Sequence, residues 1–213
     1  MMDYNKICTI IANAISIGLY PLFIPTYGMI MYMCMMQSYR QELPIVYVGV
    51  AIGGTLLLTA LIPIALIVML WMRKKISSLH IADPKERTTP YIYAIVCFGF
   101  WCYFVHTTIH LPLVWLLIAL GATIALIATT VINHWWKISA HLTGTGGLLG
   151  GICSFSLCYA TLPMGLIITV LLLSLLLMYA RLYLQAHTPL QVVCGYLLGL
   201  VCTFLPNLII IYA

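Results

Sequence analysis

The feature that most constrains this chain is its series of long apolar stretches, broken by polar residues in only a few places. A membrane-crossing helix needs about 20 consecutive apolar residues. Seven stretches of that kind can be marked, at 7–35, 44–72, 91–110, 112–136, 142–160, 163–182 and 189–212. Four open on a proline (Pro44, Pro112, Pro163 and Pro189), which a first helical turn tolerates. The first stretch contains Pro21 and Pro25 and is expected to bend. Its Ala12-Asn13-Ala14 resembles a leader-cleavage site, but too short an apolar segment precedes it, so it reads as an uncleaved first span. No stretch alternates with period two, which disfavours a membrane β-barrel. The expected fold is all-α: a polytopic membrane helix bundle of six to seven transmembrane helices, with 1–213 as a single integral membrane domain.

Composition narrows the function classes. The chain is 64% apolar and 6% charged, with nine Lys/Arg against four Asp/Glu, whereas soluble domains carry about 25% charged residues. A soluble enzyme, a nucleic-acid-binding domain and a disordered chain are excluded. The net charge of +5 suits loops at anionic headgroups or a site for an anionic ligand. All eight cysteines lie in apolar stretches, with no Cys-x-x-Cys pair, and read as small apolar fillers.

Polar residues gather at 73–89, at 137–141 and at 181–191. Two stretches separate the first place from the second, and two separate the second from the third. An even number of crossings returns the chain to the same side, so all three polar segments face one side of the membrane and can converge. The convergent set is Lys85, Arg87, Lys137, Ser139, His141, Arg181 and His187, with Lys74, Lys75, His80 and Asp83 nearby. Arginine binds phosphate oxygens bidentately and lysine binds them as a point charge. The segment Thr143-Gly144-Thr145-Gly146-Gly147 lies where a helix begins, so backbone N–H groups there could approach an anion. Of the two histidines, one could attack phosphorus while the other protonates the leaving oxygen.

This pattern resembles the type 2 phosphatidic acid phosphatase family of membrane lipid phosphatases. The family carries K-x6-R-P, then P-S-G-H, then S-R-x5-H-x3-D. The third motif is matched by Ala180-Arg181, five residues, His187, three residues and Gln191, and the second by Ile138-Ser139-Ala140-His141. The first is matched poorly: Arg87 is followed by Pro90, and His80 stands where the lysine should be. The resemblance covers about 73–199. It implies that His187 is the nucleophile forming a phosphohistidine and that His141 is the general acid. It also implies that Arg181, Arg87 and Ser139 hold the phosphate oxygens, with Lys137, Lys85 or Lys75 in the lysine's role. The implied chemistry needs no metal and no cofactor.

Two departures stand out. Gln191 replaces the aspartate that should orient His187; an amide oxygen can still accept the imidazole N–H, but it brings no charge. Asp83 or Glu86 is therefore a candidate source of the missing carboxylate. Ala140 replaces a glycine, which narrows backbone freedom.

The resemblance implies a lipid phosphate as substrate: phosphatidic acid, phosphatidylglycerol phosphate or a polyprenyl diphosphate. The alternative is a lipid-phosphate-binding membrane protein that has lost catalysis. A transporter is disfavoured because Asp3, Glu42, Asp83 and Glu86 all lie outside the stretches. Four scattered carboxylates cannot build a two-metal site, and no His-Glu-x-x-His is present. His106 and His110, four apart on an expected helix, read as interfacial residues rather than metal ligands, and so do Asn133, His134 and Trp136. Lys6, Arg73, Lys74 and Lys75 lie on the side of the polar loops against Arg40 on the other, so the positive-inside rule places the site on the cytoplasmic side. The expected location is a bacterial inner membrane.

Overall fold

A proline pair splits the first apolar stretch into two helices. In the computed structural model, α1 spans Tyr4–Gly18 and α2 spans Ile24–Ser38, joined through a 3-10 turn at Pro21–Phe23. Tyr20 is extended (φ −63°, ψ 136°), as a residue before proline prefers to be, and Pro21 has no N–H with which to continue α1. The structure describes residues 4–38, 43–79, 81 and 84–212, with the side chains of 4, 37, 38, 84, 85 and 210–212 outside that description.

The remaining helices are α3 (Ile45–Leu56), α4 (Ile62–Met72), α5 (Thr88–Thr107), α6 (Leu113–Ile132), α7 (Ala140–Cys158), α8 (Met164–Tyr183) and α9 (Pro189–Tyr212). Among the described residues there is no strand. α3 runs on into α4 through a π-helical stretch at Leu57–Leu61, ahead of Pro63, so the pair makes one crossing. Six segments are long and apolar enough to span a membrane: Asn5–Met36, Ile45–Met72, Thr88–Thr107, Leu113–Ile132, Met164–Tyr183 and Pro189–Ile209. The chain is thus a multi-pass membrane protein with an all-helical fold. Within the first segment, α2 runs beside α7, with Gly28 against Leu148 and Tyr32 against Phe155. α1 instead lies along the C-terminal half of α8: the Tyr183 hydroxyl meets the Asn5 carbonyl at 3.4 Å, and Ile15 packs around Leu177.

α7 is the seventh long helix. It is less apolar than the others because it faces protein: Leu142, Thr143, Thr145, Gly146, Leu149, Gly150 and Ser154 are all buried. It runs parallel to α9 at very short range. A Cβ on Gly146 would overlap the Tyr196 carbonyl, one on Gly150 the Leu200 carbonyl, and one on Gly199 the Thr143 carbonyl. Gly195 brings its Cα side so near that a Cβ there would sit 2.6 Å from the Ser139 carbonyl oxygen. Small residues at spacing four let two backbones touch, and dispersion replaces the hydrophobic driving force that lipid does not supply. α6 closes on the same helix, its Gly121 meeting the backbone of Cys202 and Thr203.

The expected helix over 91–110 begins and ends three residues earlier, at Thr88 and Thr107. His110 lies beyond the helix with φ 52°, so His106 and His110 do not share a helical face.

Replacing Gly199 or Gly195 by Ala is expected to push α9 off α7 and lower stability by about 1–3 kcal/mol, the usual range for an overpacked contact. Gly165, with nothing within 4 Å of a Cβ, is the control and should tolerate Ala. Thermal unfolding in detergent reads the difference; equal melting of Gly199→Ala and Gly165→Ala would contradict the close approach.

Candidate active site

The three polar segments meet at one end of the bundle, as the crossing parity requires. The first is anchored on the bundle by buried Ile76 and Ile81. Arg87 enters from the 3-10 turn Pro84–Arg87, its Nε donating to the Ile81 carbonyl at 2.9 Å. Lys137 and Ser139 come from the turn between α6 and α7, and His141 from the first turn of α7. Arg181 comes from the last turn of α8, and His187 and Gln191 from the start of α9. The charges of Arg87 and Arg181 bear on Lys137, His141 and His187 alike.

The start of α9 fixes His187 through hydrogen bonds. Thr188 caps the helix, with Pro189 at its first position. The Thr188 N–H donates to Gln191 Oε1 (3.1 Å), and the Gln191 N–H faces Thr188 Oγ1 (3.4 Å). This is a reciprocal capping box, written in the sequence as Thr-x-x-Gln. The same Gln191 Oε1 lies 3.3 Å from His187 Nδ1, which also lies 3.1 Å from the Lys137 carbonyl. A backbone N–H only donates, so the amide atom facing Thr188 must be the oxygen. Two acceptors then face Nδ1, so Nδ1 carries the proton. The neutral imidazole is left with its lone pair on Nε2, the tautomer that a nucleophile needs. Gln191 thus orients His187 through an uncharged acceptor.

Burial pushes the His187 imidazole down to about 4, with the Arg181 charge acting in the same direction; its two hydrogen bonds oppose this only in part. At neutral pH the ring is uncharged. Burial, then the nearby Arg87 and Arg181, also push the Lys137 ammonium down. His141 is held differently. Its Nε2 donates to the Ser16 carbonyl at 3.2 Å, and the Tyr20 ring meets it edge-on, with centroids 5.5 Å apart. With Nε2 donating, the Nδ1 of the neutral ring is a lone pair, so His141 can act as an acid only after Nδ1 is protonated as well.

Ser139 and Arg181 mark where a ligand is missing. Ser139 is fully buried; its N–H bonds the Gln191 carbonyl (3.3 Å), and its own carbonyl takes the Thr143 N–H and hydroxyl, each at 3.0 Å. Its Oγ is buried without a hydrogen-bond partner among the described residues, and so is Arg181 Nε. Buried polar groups without partners are costly, and cations packed side by side repel. One anion accepting from both would relieve these strains together.

The other candidates fall elsewhere. Glu86 accepts from the Ser77 N–H (2.9 Å) and hydroxyl (2.8 Å), so it braces the loop and does not serve His187. Asp83, His80 and the side chain of Lys85 lie outside the described residues. Lys74 and Lys75 are exposed at the end of α4. Two residues join the site that sequence reasoning missed. Tyr91 hydrogen-bonds Arg87 from one helical turn away, a spacing that could have flagged it. Tyr20 reaches His141 only because the α1–α2 break folds it back, and no sequence signal foretells that. No known protein family, curated protein or solved structure matches this chain.

The depressed His187 value makes a signed prediction. Between pH 6.5, where an unfolded histidine titrates, and about 4, the unfolded chain binds the proton that the folded chain refuses. Stability therefore falls as pH drops through that window. His187→Asn should lack this component, so its melting temperature should decline less between pH 6.5 and 4 than that of the unsubstituted protein. Parallel curves would mean that His187 is not held neutral by burial.

Proposed function

We propose that the chain is a membrane lipid-phosphate phosphatase, a divergent relative of the type 2 phosphatidic acid phosphatases that works without a metal or cofactor. The observation that carries this reading is the pairing of two unsatisfied buried donors, Ser139 Oγ and Arg181 Nε, with a neighbouring His187 whose Nε2 holds a free lone pair. A phosphate group held by Arg181, Arg87, Ser139 and Lys137 would present phosphorus to that lone pair. Attack by Nε2 forms the P–N bond as the P–O bond to the lipid breaks. The leaving oxygen takes a proton from Nδ1 of His141 in its imidazolium form, which the negative charge of the bound phosphate favours. In the second half water gives a proton back to His141 Nδ1 as its oxygen attacks phosphorus and the P–N bond breaks, releasing inorganic phosphate and restoring both histidines. The electrostatic part of the barrier falls to the cations, which face charge building on the phosphoryl oxygens.

The positive-inside count supports a site on the cytoplasmic side; a bacterial inner membrane is the location we propose with it. A second reading, lipid-phosphate binding without turnover, draws on one observation: the group that faces His187 Nδ1 is an uncharged amide. In a triad of another mechanism, replacing the orienting carboxylate by an amide costs about 10⁴ in rate.

Phosphate release by the detergent-purified protein from phosphatidic acid, phosphatidylglycerol phosphate and a polyprenyl diphosphate, with chelator present, tests the reading. Turnover that His187→Ala abolishes and Gln191→Asp preserves or raises is the expected result. Lipid-phosphate binding without release in any form would establish the second reading. Turnover that survives His187→Ala would overturn the proposed chemistry.

A further inference from the structure

An apolar cavity of about 110 Å³ lies inside the bundle, between α2, α5, α6 and α7. On α7 its wall includes Ala140, Gly144, Gly147, Gly151 and Phe155, all on one helical face. On α6 it includes Trp115, Ile118, Ala122, Ala125 and Thr129, again one face at spacings of three and four. From Ala140 to Phe155 the helical rise is about 22 Å, at 1.5 Å per residue. A water-sized sphere needs about 10–15 Å³ on this measure, so this volume drawn out along that wall makes about one file.

One end of the cavity abuts the anion site. Its upper end is formed by Ala140, between Ser139 and His141, and by Pro21, next to Tyr20. Thr129 lines it near the site end of α6, and the Thr129 hydroxyl is buried with no hydrogen-bond partner among the described residues. Thr143 and Thr203, also along the wall, turn their hydroxyls to backbone carbonyls at 3.0 and 2.9 Å, so the deeper wall is mainly apolar, with Trp115 Nε1 as a buried donor in it. The site's cations lie beside that end, an unpartnered hydroxyl lies just below it, and a narrow, mainly apolar file follows. A phosphate, an ester or ether oxygen and one hydrocarbon chain meet those three environments in that order.

The geometry points to a built-in chain site: one hydrocarbon chain of the phosphorylated lipid is threaded into the bundle along α7, with its phosphate on Arg181 and Ser139. This rests on the lipid-phosphate reading above and adds the substrate's form. One leaflet is about 15 Å of hydrocarbon, half the bilayer core. A file of about 22 Å reaches past the midplane, so the site suits a chain of at least ordinary acyl length. A wider groove, between α1, α2, α7 and α8 and lined by Leu19, Val170, Leu173 and Leu176, is the competing place for a chain.

Two measurements test this. The first uses hexadecyl phosphate bearing a terminal photoreactive diazirine, incubated with the full chain in detergent, illuminated and mapped by peptide mass spectrometry. Label on the α6 or α7 face around Trp115 and Phe155 is expected. Label confined to Val170, Leu173 or Leu176 overturns the proposal, as does label that an excess of unlabelled hexadecyl phosphate fails to reduce. Competition by hexadecyl phosphate against a C15 prenyl phosphate tells which chain chemistry the file prefers. The second compares release of phosphate from hexadecyl and butyl phosphate. Ala122→Phe and Ala125→Phe, which plug the file, should cut kcat/KM for hexadecyl phosphate by about tenfold or more, as loss of two buried methylenes would, and leave butyl phosphate unchanged. Equal loss on both substrates, or on neither, overturns the chain site. No release from either substrate by the unsubstituted protein counts against the phosphatase reading alone, because the labelling experiment needs no turnover.

Discussion

The backbone contact between α7 and α9 is the constraint on which the rest depends. Gly146 and Gly150 on one helix, and Gly195 and Gly199 on the other, remove the side chains that would hold the two helices apart. The closeness does more than pack the bundle. It brings the Ser139 N–H onto the Gln191 carbonyl and His187 beneath the Lys137 carbonyl, so the second and third polar segments are joined by hydrogen bonds rather than merely placed on the same side. In lipid, where apolar surface gives little preference for helix contact, such close packing is among the few forces that can fix two segments so tightly.

On that frame the site gathers cations from three polar segments. Glu86 is spent on Ser77 in the first polar loop. Three basic side chains from three segments converge, and the buried Ser139 hydroxyl and Arg181 Nε are left without partners among the described residues. Bringing like charges together in a partly dry site costs free energy, which a bound anion offsets. His187 is neutral for the same reason, since burial and neighbouring positive charge both oppose its protonation. An arrangement that is unfavourable when empty and favourable when occupied is what an anion-binding centre requires.

Much of this was legible in the chain. The seven apolar stretches and the even crossings between polar segments follow from hydropathy alone, because lipid forces every backbone polar group into helical hydrogen bonds. The spacing of Arg181, His187 and Gln191 also reads directly. The Thr188–Gln191 capping box is local too: two residues three apart around a proline, a signal available without the fold. Helix ends read less well, as α5 shows by stopping at Thr107 and separating His106 from His110. Hydropathy continues past a helix end when the next residues stay in the membrane interface.

Sequence by itself determined the membrane class, the all-helical fold and the sharing of one side by the polar segments, because the bilayer imposes those through composition and period. Tertiary structure alone decided what touches what. Tyr20 meets His141 because the Pro21 break turns the chain back toward α7. Glu86 goes to Ser77 because the loop folds on itself. The interior cavity forms where one glycine face of α7 is filled by the α9 backbone while Gly144, Gly147 and Gly151 face mainly side chains, Ile24, Thr203 and Ile118, at 3.0–3.5 Å from where a Cβ would sit. The glycines are equally small in the sequence; only packing settles which of them are covered by another backbone and which leave room.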